Sequence, residues 1–228
     1  TAVVQLARDL LAHAPVAPLA VGLAAMVIAV VLGTTVGALA GFFGGVVDGL
    51  LMRLTDLFIS MPQLPLLLLL IYLFRDALRA RFGPELGIFL LIVGVIGGFN
   101  WMSTARLVRA SFLSVKQKDF IEAARCLGAP TPRLILVHIL PNVLSPVIVA
   151  ATLGVGQAII TESALSFLGL GFPPDIPTWG RMLFDAKDFL DFAPHMALFP
   201  GLMIFVTVLA INYIGDGLRD ALDPHRIP

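Results

Sequence analysis

The sequence predicts an all-α, polytopic membrane protein with five transmembrane helices, and its composition and its apolar stretches both support this. Hydrophobic residues make up 58% of the 228 residues and charged residues only 13%, whereas about a quarter of a soluble domain is charged. The mean hydropathy is +0.96. Five stretches are apolar over about the 20 residues that a helix needs to cross a bilayer. Helices are expected because backbone polar groups in lipid must be paired internally, and the alternating ten-residue segments of a membrane barrel are absent.

The predicted spans follow one another along the chain with short connections. They cover residues 16–41, 50–74, 86–105, 139–161 and 196–215. The first span lies between His13 and Asp48, with no charge inside it, and the third begins after Glu85 and ends before Arg106. The second span carries charges near its start. The fourth and fifth spans are likewise bounded by charges, with Arg133 and Glu162 around the fourth and Asp216 at the end of the fifth.

The distribution of Lys and Arg predicts the orientation in the membrane. The connection between spans three and four is the most basic one and is placed in the cytoplasm; it contains Arg106, Arg109, Lys116, Lys118, Arg125 and Arg133. Alternation then places 42–49 and the tail after 216 inside, and 1–15, 75–85 and 162–195 outside. The three arginines within 75–81 are interpreted as part of a short amphipathic helix on the outer surface. An outside N-terminus predicts a further transmembrane helix before residue 1.

A short helix is predicted in the cytoplasmic connection. Asp119 and Glu122, three residues apart, have the spacing of a capping box at a helix start. Gly128 stands where a left-handed residue ends a helix, and Pro130 follows it. A small apolar face results, made by Phe120, Ala123, Ala124 and Leu127. Such a face suits insertion into a groove of a partner protein, and an amphipathic helix on the lipid surface is the alternative.

The next helix is predicted to begin at Thr131 as N-cap with Pro132 in its first position. Further along, Asn142 follows Pro141, whose missing N–H leaves a carbonyl one turn earlier without its donor. Asn142 is therefore expected to repair that break.

This region resembles the EAA loop of ABC importer permeases. The resemblance is carried by Glu122-Ala123-Ala124, by Gly128 six residues after the glutamate, and by Leu140-Pro141 thirteen residues beyond the glycine. The isoleucine usual two residues before the leucine is His138 here. By this resemblance, about 110–138 is a coupling loop that docks on a cytoplasmic ATPase subunit. The implied coupling residues are Asp119, Glu122, Ala123, Ala124, Gly128, Leu140 and Pro141.

Further segments are similar to the C-type permease of the dipeptide, oligopeptide and nickel transporter group. They are 44–48, 60–62, 165–171, 177–180 and 215–224. The resemblance implies a MetI-like type I ABC importer permease core, with 1–228 as a single transmembrane domain in the bacterial cytoplasmic (inner) membrane. It also implies a heterodimer with a second permease subunit, two ATPase subunits and an extracytoplasmic substrate-binding protein. Peptide is the expected substrate, with nickel or another small solute as the alternative.

The chain itself is expected to be a non-catalytic subunit without a cofactor. No Gly-x4-Gly-Lys-Ser/Thr phosphate loop is present, so ATP and Mg are expected on the partner ATPases. The lone Cys126 excludes an internal disulfide, and the four histidines have no metal-ligand spacing. The net charge of zero gives no indication of a nucleic-acid partner.

Several intramembrane polar residues are candidates for the pathway or a gate, because polar groups at this depth face the bundle interior. The candidates are Met61, Gln63, Asn100 and Glu162. The structural alternatives are an interhelical hydrogen bond for Asn100 and a helix cap for Glu162, which is also a candidate for receiving the binding protein. Pro62 and Pro65 are expected to kink span two.

Two other groups of residues have simple structural interpretations. Gly33, Gly37 and Gly41 are expected to permit close helix packing. Asp48, Arg53 and Asp56 are interpreted as an interfacial cluster, with a state-dependent salt bridge as the alternative. The connection at 165–180, rich in Gly and Pro yet apolar, is expected to be a partly re-entrant loop.

Two other classes of function remain open at this point. A stand-alone secondary transporter or channel is the first, although inverted repeats and midplane charges are not evident. A structural membrane scaffold is the second, and it has no need of a capped cytoplasmic helix with a small-residue face.

Overall fold

The computed structural model describes residues 16–222, and every regular element in that range is helical. The elements are α1 (Val16–Phe43), α2 (Gly45–Ser60), α3 (Gln63–Phe82), α4 (Pro84–Val115), α5 (Asp119–Cys126), α6 (Thr131–Arg133), a π-helical segment (Leu134–Ile139), α7 (Leu140–Phe167), α8 (Trp179–Ala186), a 3-10 turn (Lys187–Phe189) and α9 (His195–Leu222). The expected helix before residue 1 lies outside the described residues.

Four described helices are long and apolar enough to cross a membrane: α1, α4, the continuous run Thr131–Phe167 and α9. They match the first, third, fourth and fifth predicted spans and extend beyond their predicted bounds. The prediction that the third span ends at 105 was wrong, because α4 continues to Val115. Arg106 and Arg109 therefore lie within the helix, and both form ion pairs with aspartates of α2.

The second predicted span is not one helix. The helices α2 and α3 are bent by 86° at Met61–Pro62, so a single helix over 50–74 was wrong although a proline break was expected. Met61 and Pro62 have extended backbone, and Pro62 has no N–H for a helical hydrogen bond. The bent pair is the fifth candidate span. Because α3 runs on to Phe82, the separate surface helix predicted at 75–81 is instead its C-terminal half.

Close packing of α1 against α4 forms the centre of the bundle. The prediction for Gly33, Gly37 and Gly41 is confirmed, since a Cβ on these residues would lie 2.6, 2.4 and 2.6 Å from atoms of α4. The atom facing Gly37 is the backbone oxygen of Ala105, which no side-chain rotation can move away. The two backbones therefore meet along three turns of α1.

In contrast to the closely packed α1 and α4, α9 is almost entirely exposed. Only 6% of its most apolar stretch of 18 residues is buried. Its exposed side chains include Phe205, Val206, Tyr213 and Ile214. An apolar helix with this exposure needs lipid or another protein chain around it.

We expect Gly37→Ala to destabilise the protein and Gly94→Ala, on the exposed face of α4, to leave its stability unchanged or slightly raised. A Cβ at Gly94 meets no atom within 4 Å, and alanine favours a helix over glycine. At Gly37 the added methyl group forces α1 and α4 apart, which costs about 1–3 kcal/mol. Thermal unfolding of the two purified variants in detergent checks this, and equal midpoints would contradict the packing.

Candidate functional site

The helix α5 lies at the turn between α4 and the run that begins at α6. Ile121 is fully buried, in a cluster with Phe112, Leu134 and Ile139. On another face Phe120 is 47% exposed and Leu127 is 88% exposed. One isoleucine thus fixes α5 to the bundle while an apolar face projects outwards.

The four residues predicted to share this face do not all point away from the protein. Ala123 is exposed like Phe120 and Leu127, whereas Ala124 is partly buried and packs beside Ile121. The exposed face is therefore formed by Phe120, Ala123 and Leu127, at spacings of three and four residues. Its centre is small and its two ends are large.

The predicted cap at the start of α5 differs from the structure, whereas the predicted glycine turn at its end agrees with it. The capping box was wrong: Lys118 is the N-cap residue and makes no side-chain cap, so Asp119 is the first helical residue. At the other end Gly128 has φ +79°, the left-handed conformation that was expected. The chain then turns sharply. The amide of Gly128 donates to Arg125 O at 3.0 Å, and the amide of Ala129 donates to Ala124 O at 3.1 Å.

The start of the next helix also differs from its prediction. Thr131 is itself the first helical residue and Pro130 precedes it as the cap. The helical run then passes through the π-helical segment, where the amide of Leu140 donates to Ile135 O, five residues earlier. Pro141 follows without an N–H, and Asn142 Nδ2 donates to His138 O at 2.7 Å. Leu140 and Pro141 thus lie where the π-helical segment that contacts α5 changes to α-helix.

The candidate pathway residues Met61, Gln63 and Asn100 come together at one cavity. This cavity of about 240 Å³ lies between the bend of α2 and α3 and the facing side of α4, and Ser103 and Arg106 also line it. Phe58, at the end of α2, packs edge-on against Phe99 and Trp101 with ring centroids 6.0 and 6.3 Å away. These aromatic contacts hold the bend against α4.

A second cavity of about 420 Å³ lies between α4 and α7, next to the first. Asn100 and Ser103 line both cavities, and Gln157 of α7 lines the second. The amide nitrogen of Asn100 is buried and has no hydrogen-bond partner within residues 16–222, so the interhelical hydrogen bond considered for it is absent there. Asn100, Ser103 and Arg106 form a polar stripe on α4 at intervals of three residues.

Two ion pairs join α2 to α4 at the end that carries α5. The carboxylate of Asp48 accepts from Nε and Nη2 of Arg109, the latter at 2.6 Å, and these side chains are 18% and 34% exposed. Asp56 accepts from Arg106 Nη2 at 2.5 Å, with both side chains more than half exposed. The salt bridge considered as the alternative for Asp48 and Asp56 is therefore present, with arginines that had been counted as loop residues as the partners. Its dependence on the transport state stays a prediction.

Glu162 lies apart from the pathway cavities and is fully buried within α7. Ser166 Oγ donates to its Oε1 at 2.6 Å, whereas Oε2 has no hydrogen-bond partner among the described residues. A docked protein cannot reach a carboxylate buried in this way, and the helix continues five residues past it, so Glu162 does not cap the end of α7. Gly171 and Gly180 of the following connection pack directly on Ser166 and Ser163.

The outer connection is shorter than predicted. Residues 165–167 are still helical, and 168–178 form the irregular part before α8. It folds back on α7, with Leu170 N donating to Leu165 O at 3.0 Å and with Phe172 and Trp179 buried. Arg75 of α3 donates to Gly169 O at 3.4 Å, which ties this connection to the bent span.

Comparison with protein families identifies one matching family model. Residues 33–227 match "Binding-protein-dependent transport system inner membrane component". This range includes the bend, α5 and all the lining residues of the two cavities except Met26.

Three of the curated relatives are named as permease proteins of transport systems. The chain is 45% identical over 220 residues to the oligopeptide transport system permease protein OppC of Escherichia coli K12, covering 95% of this chain and 69% of that protein. It is 46% identical over 206 residues to the glutathione transport system permease protein GsiD of Shigella flexneri, covering 90% and 64%. It is 42% identical over 181 residues to the dipeptide transport system permease protein DppC of Alkalihalophilus pseudofirmus, covering 79% and 56%. The chain thus spans 56 to 69% of the length of these relatives.

Solved structures share the fold at low sequence identity. The methionine ABC transporter MetNI in an inward-facing conformation matches with a TM-score of 0.71 at 18% identity, over 91% of this chain and 93% of that one. An amino acid ABC transporter solved with histidines matches with a TM-score of 0.65 at 15% identity, over 97% of both chains.

We expect Asp48→Asn to destabilise the protein more than Asp56→Asn. The Asp48–Arg109 pair is bidentate and partly buried, so its loss leaves a poorly solvated arginine and costs about 1–3 kcal/mol. The Asp56–Arg106 pair is largely exposed and contributes about 0–1 kcal/mol. Thermal unfolding of the two single variants measures both contributions. The double variant Asp48→Asn/Arg109→Gln shows how much of the loss at Asp48 comes from the arginine left without its partner. If Asp56→Asn proves the more harmful, the assignment of Asp48–Arg109 as the main bond between α2 and α4 fails.

Proposed function

Because the chain belongs to the family of binding-protein-dependent transport system inner membrane components, we propose that it is a permease subunit of an ATP-driven ABC importer of peptides. It is a multi-pass protein of the inner membrane. Its own contribution is one half of the translocation pathway together with a contact through which ATP-driven motion enters the membrane.

The projecting face of α5 is the observation that carries this proposal. A helix of eight residues between two membrane-spanning helices exposes Phe120, Ala123 and Leu127 to solvent at the end of the bundle predicted to be cytoplasmic. Exposed apolar side chains at such a place are costly unless a partner covers them. A cytoplasmic ATPase subunit with a groove for a short helix is the partner that fits.

The support of α5 suits the transmission of motion. Ile121 packs against Phe112 of α4 and Leu134 of the π-helical segment. A displacement of α5 therefore acts on the inner ends of α4 and α7, the two helices that line the larger cavity. The coupling role of Glu122, Ala123, Ala124 and Gly128, with Leu140 and Pro141 behind them, rests on this connection.

A second permease subunit is part of the proposal. One side of α4 lines both cavities, together with the bend of α2 and α3 at the first and with α7 at the second. Both cavities lie open rather than enclosed, with Met61, Gln63 and Gln157 exposed. A pathway through a membrane needs a wall on every side. The exposed apolar helices, α9 above all, offer the surface for lipid and for that second subunit.

Peptides are the proposed substrates because the curated relatives are named for oligopeptide, dipeptide and glutathione transport. An extracytoplasmic binding protein delivers them, and ATP and Mg bind to two partner ATPase subunits. Nickel or another small solute remains the alternative cargo. A stand-alone secondary transporter is less well supported, because the open cavities need another subunit to close them.

We expect Leu127→Asp to abolish co-purification of the ATPase subunits with the permease pair. Leu127 is 88% exposed, so a carboxylate there leaves the fold intact but is desolvated when the face is covered. Gln117→Asp, an exposed position outside α5, is the matched control and retains the ATPase. Retention by Leu127→Asp would exclude this face from the contact, and absence of the ATPase from the wild type would favour a stand-alone transporter.

Gly128→Asp tests the turn after α5 rather than its face. No atom lies within 4 Å of a Cβ at Gly128, so the variant is opposed only by its left-handed backbone, at about 1 kcal/mol or more. We expect it to misplace α5 and to lower peptide uptake and the stimulation of ATP hydrolysis. Unchanged uptake together with unchanged stimulation would show that α5 does not transmit the motion.

A further inference from the structure

The cavity at the bend has a lining with a definite chemical character. It combines one cation, three neutral hydrogen-bonding side chains and a set of apolar ones, and includes no acidic residue. The lining residues are Arg106; Gln63, Asn100 and Ser103; and Phe58, Ile59, Met61, Phe99 and Met102. This composition suits a ligand that has hydrogen-bond acceptors or a negative charge next to an apolar group.

Asn100 supplies the first specific indication of a ligand. Its Nδ2 is buried and unpaired among the described residues, and a buried donor without an acceptor carries an uncompensated desolvation cost. A residue with that cost is unfavourable for packing alone. Because Asn100 lines both cavities, an acceptor that enters from either cavity can satisfy its amide.

Arg106 supplies the second specific indication of a ligand. Its Nη2 donates to Asp56 at 2.5 Å, and a guanidinium has five N–H donors in a planar fork. Donors remain for a ligand on the cavity side, and a carboxylate is the acceptor that matches a guanidinium bidentately. The side chain is about half exposed, so a solute in the cavity can reach it.

We propose that this cavity binds the C-terminal end of a peptide in transit, with the terminal carboxylate on Arg106, a preceding main-chain carbonyl on Asn100 Nδ2 and the terminal side chain against Met61 and the neighbouring aromatic rings. The proposal rests on the proposed function and adds to it the part of the substrate that the permease recognises. The free carboxylate and the main-chain carbonyls are common to all linear peptides. Met61 and Met102 adapt to side chains of different shape, so the site is tolerant of sequence.

The dimensions agree with this occupant. A volume of about 240 Å³ equals the share of roughly eight water molecules at about 30 Å³ each, which suits the end of a peptide rather than a whole peptide. Asn100 and Arg106 are six residues apart, about 9 Å along the helix, or two to three residues of extended peptide. The preceding part of the peptide then occupies the 420 Å³ cavity, which shares Asn100 and Ser103.

The same lining favours the carboxyl end of a peptide over its amino end. An ammonium group needs an acidic or carbonyl-rich site, and the residues around this cavity include a cation instead. Asp56 pairs with Arg106 but does not itself line the cavity. The pair keeps the guanidinium in position without removing its affinity for a second carboxylate.

The test uses the complete transporter with its binding protein, reconstituted in proteoliposomes. The probes are trialanine and trialanine C-terminal amide, each loaded on the binding protein to measured saturation, so that selection by the binding protein is removed. We expect the wild type to import the free acid about tenfold faster than the amide, the loss that a missing charged hydrogen bond produces. In Arg106→Gln this ratio falls to within about twofold.

Asp56→Asn is the matched control, because it breaks the same ion pair while retaining Arg106. It is expected to keep the preference for the free acid, whatever its effect on the overall rate. If Asp56→Asn loses the preference as Arg106→Gln does, the ion pair and not a peptide carboxylate explains the result, and the proposal is overturned. Equal import of both peptides by the wild type overturns it as well.

A direct readout covers the case in which Arg106→Gln does not assemble. Ser103→Cys in a Cys126→Ser background places a thiol in the cavity, and trialanine is expected to slow its modification by a maleimide during turnover while the amide does not. Equal labelling with both peptides overturns the proposal. A wild-type complex that imports neither peptide and shows no stimulated ATP hydrolysis instead contradicts the proposed function itself.

Discussion

The close approach of α1 and α4 determines where every functional part of this chain lies. Gly33, Gly37 and Gly41 allow the two backbones to meet, with the oxygen of Ala105 directly against Gly37. In lipid, apolar side chains gain little by leaving one apolar environment for another, so such backbone contact is the main source of helix association. It fixes α4, and α4 carries the polar stripe of the cavities, both arginines of the ion pairs and the support of α5.

The break between α2 and α3 depends on that fixed helix. A span bent by 86° loses helical hydrogen bonds at its corner, and exposing this backbone is tolerated at membrane depth where it lines a cavity. The Asp48–Arg109 pair holds the start of α2 on α4, and the contact of Phe58 with Phe99 and Trp101 holds the end of α2, next to the corner. The corner thereby becomes one wall of a cavity whose other wall is Asn100 to Arg106.

The sequence predicted features that depend on local chemistry or on long apolar runs. Four of the five spans, the helix at Asp119–Cys126 and the left-handed Gly128 follow from hydropathy and capping preferences and agree with the structure, whereas the second span is a bent pair of helices. The capping box at Asp119 was wrong because the helix begins one residue earlier than expected, with Lys118 at the N-cap and Asp119 already helical. The coupling role of α5 and the pathway role of Met61, Gln63 and Asn100 stay predictions.

Features that depend on tertiary contacts were missed. Arg106 and Arg109 were assigned to a loop because hydropathy treats each charge as exposed and takes no account of partners 50 and 61 residues away. Once α4 is extended through them, the three-residue spacing of Asn100, Ser103 and Arg106 becomes a helical stripe, and this signal was present in the sequence. The burial of Glu162 was not foreseeable, since it depends on the connection 168–178 folding back over α7.

The central claim is that α5 is the contact between this permease and an ATPase subunit. The most direct measurement is site-specific cross-linking from Leu127→Cys, in a Cys126→Ser background, in membranes that contain the assembled transporter. We predict that the main product joins this chain to an ATPase subunit and that its yield changes when ATP binds. An assembled, active transporter in which residue 127 forms no product with the ATPase would contradict it.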